Sequence, residues 1–65
     1  MPTVRNGETY YYLGEAAQVF GVGVNTLLFW VNSGKVKSYQ GSALDIFIEE
    51  QSLRACIARH KGEKK

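Results

Sequence analysis

The chain has 65 residues, 45% of them hydrophobic, with a formal charge of +2, one cysteine and one proline. That length holds one small packed domain and leaves little room for a substrate cavity with a catalytic shell. The lone cysteine excludes an internal disulfide, and the longest apolar run, residues 27–31, is far too short for a membrane span. The first residues lack the apolar centre of a signal peptide, so a cytoplasmic setting is expected.

Residues 1–8 are polar, contain Pro2 and Gly7, and read as a flexible lead-in. Residues 9–13 are aromatic and β-prone. Tyr10, Tyr11 and Tyr12 cannot share one strand face, so Tyr11 should oppose the other two. Leu13, Ala16, Ala17 and Phe20 fall at i, i+3, i+4 and i+7, which predicts a first helix over residues 13–20. Gly21 suits its C-terminal cap. After the tight link Val22-Gly23, a second helix is predicted from residue 24 or 25 to 32, stopped by Ser33-Gly34.

Residues 35–40 and 44–48, joined through Gly41-Ser42, predict a two-stranded hairpin. Leu53, Cys56, Ile57 and His60 repeat the i, i+3, i+4, i+7 pattern and predict a closing helix over about residues 49–60. Glu49 and Glu50 suit its first turn, and Arg59 and Lys61 its last. The basic stretch of residues 59–65, with 61–65 as the tail beyond the domain, reads as a solvated terminus or, alternatively, as a phosphate-binding arm. The basic charge lies late in the chain: residues 1–32 carry one cation and two carboxylates, residues 33–65 seven cations and four carboxylates.

The ordered set Glu15-Ala16-Ala17, Gly21-Val22, Thr26-Leu27, Trp30-Val31, Ser33-Gly34-Lys35-Val36 and Tyr39 resembles the winged helix-turn-helix of phage and transposon excisionases. It is similar, too, to the N-terminal DNA-binding domain of MerR-type regulators. The resemblance covers roughly residues 11–57. It implies a mainly α fold with a small β-hairpin: three short helices plus a two-stranded wing, over residues 9–60. It implies duplex DNA as partner, without catalysis, in transcription regulation or as a recombination accessory factor, and nucleoid association in the cell. By position, the groove-facing residues are Gly23, Val24, Asn25, Leu28, Phe29 and Asn32, and the backbone contacts Lys35, Lys37, Ser38 and Gln40.

The chain departs from that pattern in places. Gly23 and Val24 stand where relatives carry Ser, Thr or Arg, and Phe29 stands where they carry Arg or Lys. The returning strand holds Asp45, Glu49 and Glu50 in place of arginines. Affinity for DNA rests on phosphate neutralisation, and base readout on side chains such as Arg, Lys, Asn and Gln, which Asn25 and Asn32 supply here. An apolar Leu28–Phe29 pair on the second helix suggests an alternative, a protein partner or self-association on the same fold. A packaging role like that of a phage terminase small subunit is a third reading.

No hydrolase-type triad and no phosphate loop can be drawn, so an enzyme is not expected. Cys56 and His60 sit at i, i+4, but two ligands do not make a metal site. Cys56 and Trp30 read as core. No cofactor and no small-molecule ligand are expected.

Overall fold

A computed structural model describes residues 2–41 and 45–63. Along them run β1 (Thr3–Arg5), β2 (Glu8–Tyr12), α1 (Leu13–Phe20), α2 (Val24–Asn32), β3 (Ser38–Gln40), β4 (Ile46–Glu49) and α3 (Glu50–Glu63). The four strands form one antiparallel sheet in the order β1-β2-β4-β3.

This corrects the winged helix-turn-helix expectation. That fold has a two-stranded wing, whereas here β4 is an inner strand bonded to β2 on one side and β3 on the other. The physical reason lies in the N-terminal residues. Asn6 and Gly7 both take positive φ, 53° and 79°, as a two-residue type I′ hairpin turn requires. The turn folds β1 back on β2, pairing Arg5 with Glu8 and Thr3 with Tyr10. The segment read as a flexible lead-in is therefore most of a β-hairpin. The tyrosine strand then pairs with β4, Tyr11 opposite Ile48 and Tyr12 opposite Phe47.

Strand alternation sorts the aromatics onto two faces. Tyr11 and Ile48 face the helices, and Tyr11 meets Phe20 edge-on at 5.3 Å. Tyr10, Tyr12, Tyr39 and Phe47 share the other face. There Tyr39 stacks on Phe47 at 5.1 Å, Tyr10 meets Tyr39 edge-on at 4.8 Å, and the Arg5 guanidinium lies 4.1 Å from the Tyr39 ring centre. The helix side carries the core: Ala16, Leu27, Trp30, Val36, Ile48, Leu53 and Cys56 are buried together. Each large side chain in it contributes about 1.5–3 kcal/mol of burial.

Both short helices follow their apolar stripes. Gly21 ends α1 in the left-handed region at φ 65°, and the Val22 N–H donates to the Ala17 carbonyl at 3.1 Å, the Schellman closure. At the end of α2 the Ser33 hydroxyl donates to the Phe29 carbonyl at 2.7 Å. Gly34 then takes φ 77°, and the Lys35 N–H turns back to the Trp30 carbonyl at 2.9 Å. That reversal sets Lys35 beside the helix it leaves. α3 runs on to residue 63, through the first part of the expected basic tail; residues 64 and 65 lie outside the described residues, as do 42–44 of the expected wing turn.

Candidate functional site

At 100° per residue, Leu27, Trp30 and Val31 turn α2 toward the core, Asn25, Phe29 and Asn32 occupy the opposite arc, and Val24 and Leu28 flank the core stripe. Asn25 and Asn32 are exposed, Phe29 is 61% exposed and Val24 42%. Leu28 is half-buried, and Gly23 is the exposed residue before the helix. Of the α2 residues expected to face a partner, Asn25, Phe29 and Asn32 lie on the solvent side and Leu28 is only partly exposed. Their identities are set by exclusion: the other side is consumed by Leu27 at 0% and Trp30 at 5% exposure.

Six of the ten residues expected to face a partner fall into two clusters beside α2, and Gly23, Val24, Leu28 and Lys37 fall in neither. The first is a groove of about 410 Å³ between α2 and the second half of α3. Asn25, Thr26, Phe29 and Trp30 line it from α2, Cys56, Arg59 and His60 from α3, and Lys35 from the segment after α2. Trp30 holds the His60 ring edge-on at 5.7 Å. The lining carries two permanent cations, Lys35 and Arg59, and no carboxylate among the described residues. The second cluster, about 380 Å³, joins Asn32 with Ser38, Gln40, Val31, Tyr39 and Ile46.

Lys37 belongs to neither. Its ammonium donates to both oxygens of Glu8 at 2.8 and 2.7 Å, and its backbone N–H donates to the Ser52 hydroxyl at 2.8 Å. The expected phosphate contact is therefore already neutralised inside the protein, because Glu8 on β2 faces it across the outer side of the sheet. The Tyr10 hydroxyl donates to the same carboxylate at 3.1 Å. The hydrogen bond from Lys37 holds the Glu8 carboxyl below its ordinary pKa, and the same bond raises Lys37. Burial, reinforced by Glu8, pushes the Tyr10 phenol up.

Two of the three carboxylates that seemed to spoil a DNA surface, Glu49 and Glu50, are engaged within the protein. Glu49 is buried and caps α3, accepting the N–H groups of Gln51 and Ser52 at 2.9 and 2.8 Å. Glu50 pairs with Arg54 at 2.9 Å, and the Arg54 guanidinium also lies 5.1 Å from the Phe20 ring centre. Neither lines the groove. Arg59 and His60 belong to the basic stretch whose alternative reading is a phosphate-binding arm; what sequence reasoning missed is that α3 carries them into a groove beside α2, together with Thr26. Part of the signal was present, since His60 ends the apolar stripe begun by Leu53.

Cys56 is buried and His60 exposed, and among the described residues no group of three His, Cys, Asp or Glu could hold a metal. No described helix is long and apolar enough to cross a membrane. No family model, curated protein or solved structure matches the chain.

Proposed function

We propose that this chain binds duplex DNA through the outward face of α2, in a regulatory or recombination-accessory role. One observation carries the reading: that face presents Asn25 and Asn32 to solvent, bears no carboxylate, and ends at Lys35, which no acidic residue neutralises among the described residues. α2 is a regular nine-residue helix, and an α-helix with its side chains is about 10–12 Å across, which a major groove about 12 Å wide admits. An Asn amide has the donor and acceptor that read an adenine edge, and Val24 and Phe29 offer apolar contact to thymine methyls. Lys35 supplies backbone charge. The motif set around Glu15-Ala16-Ala17, Trp30 and Ser33-Gly34-Lys35 supports the same reading.

The test is anisotropy of a labelled random duplex of about 20 base pairs. Binding is expected at about 50 mM salt and should weaken steadily as salt rises, because phosphate contacts release counterions. No binding at that salt sinks the proposal. A second reading draws on Phe29, whose 61% exposure would make α2 a docking face for another copy of the chain. Failure to bind duplex together with self-association at high protein concentration is the result that favours it.

A further inference from the structure

We propose that the phosphate contact is made by α3 in place of the β3 strand: Arg59, with Lys35, holds a backbone phosphate in the groove beside α2. This rests on the duplex reading above and adds a contact element to it. Three observations lead there. Lys37, the cation nearest β3, is paired with both oxygens of Glu8 at 2.7–2.8 Å, so a phosphate would have to compete with that carboxylate for it. Arg54, the other described cation near the start of α3, is bound to Glu50 at 2.9 Å. Of the other described cations, Arg5 lies over the Tyr39 ring on the outer face of the sheet and Lys61 does not line the groove; Lys35 and Arg59 share the 410 Å³ groove, whose lining holds no carboxylate among the described residues.

The donor set has the chemistry of a phosphate site. An arginine fork offers paired N–H donors matched to two phosphate oxygens, and a lysine adds a point charge. The Asn25 amide and the Thr26 hydroxyl in the same groove are further neutral donors. The apolar floor is Trp30, which is 5% exposed, so a bound anion is partly shielded from water and its ion pairs are screened less. The position matters as much as the charge. The groove borders Asn25 and Phe29 on α2, so a phosphate held there fixes the depth and rotation of the helix against the bases.

The experiment compares the full chain with Arg59→Gln, Arg59→Lys and Lys37→Gln, measuring duplex affinity between about 50 and 200 mM salt. Arg59→Gln should lower the slope of log K against log salt by about 0.9, the value of one lost phosphate contact. Arg59→Lys should restore most of it, and Lys37→Gln should leave the slope where it was. Arg59 is exposed, so unchanged circular dichroism is expected for its variants. If the full chain binds with a salt-dependent affinity and Arg59→Gln keeps the same slope, the α3 contact is overturned while duplex binding stands. A slope lost in Lys37→Gln instead would return the contact to β3 and overturn the proposal equally. If the full chain does not bind at all, the duplex reading fails and takes this inference with it.

Discussion

Glu8 and Lys37 form the clearest charge contact in the molecule, and their titration has a defined sign. The carboxyl of Glu8 sits below its ordinary pKa because Lys37 donates to it. A depressed carboxylate adds stability that is present above the ordinary carboxylate range and is lost as pH falls through the lowered value. Lys37 and Tyr10 are both raised, Lys37 by the Glu8 hydrogen bond and Tyr10 by burial. Their contribution is complete below the ordinary lysine and tyrosine values and is lost as pH rises through the raised ones. Unfolding followed across pH should therefore show an acid limb and an alkaline limb that both flatten in Glu8→Gln. Identical limbs in the two proteins would show that the pair does not contribute. The pair is solvent-facing, with side chains 55% and 38% exposed, so added salt should blunt the effect.

Among the elements, α3 depends on a residue that precedes it. Glu49 ends β4 and caps α3 with two accepted N–H bonds, so one buried side chain joins the strand to the helix. Glu49→Ala should cost about 1–2 kcal/mol, the upper part of the range for a lost N-cap, read as a lower urea midpoint with weaker helical signal. Glu49→Gln keeps an amide oxygen and should cost less. An unchanged midpoint in the alanine variant would remove the cap from the account.

α1 and α2 were legible because each has an apolar stripe and a glycine stop, and the structure begins and ends them where those signals fall. The sheet was not legible in full. β1 is exposed at all three residues, so no apolar alternation marks it, and only the Asn6-Gly7 turn announces it. The outward face of α2 could be read from its own rotation, but the fates of Lys37 and Glu49 could not. Each is decided by a partner on another element, Glu8 for one and the first turn of α3 for the other.

At the scale of the whole molecule the charge has a different distribution from the one its order along the chain suggests. Two of the described cations are consumed internally by Glu8 and Glu50, and two others share the α2–α3 groove. A small excess of positive charge is thus concentrated at one place next to an exposed phenylalanine. Phe29 is the point where the two functional readings separate. Under the duplex reading, Phe29→Ala should leave the salt slope unchanged and lower affinity by no more than a few-fold, since an apolar contact releases no counterion. Under the docking reading it should abolish self-association in sedimentation at high concentration while the fold is kept, as expected for an exposed side chain. A steep change in salt slope would contradict both.

The place of β4 in the sheet has a consequence for how the protein is made. β2 and β3 lie on either side of β4, and their backbones are joined in the sheet only through it. Residues 46–49 are synthesised well after the tyrosine strand of residues 8–12. The Tyr11–Ile48 pairing closes a span of about 37 residues, the kind of distant contact that slows folding. Until it closes, the tyrosine strand emerges from the ribosome with an unpaired edge and three exposed aromatic rings. The N-terminal hairpin, turned by Asn6 and Gly7, covers one edge of that strand locally and early, and only β4 can cover the other.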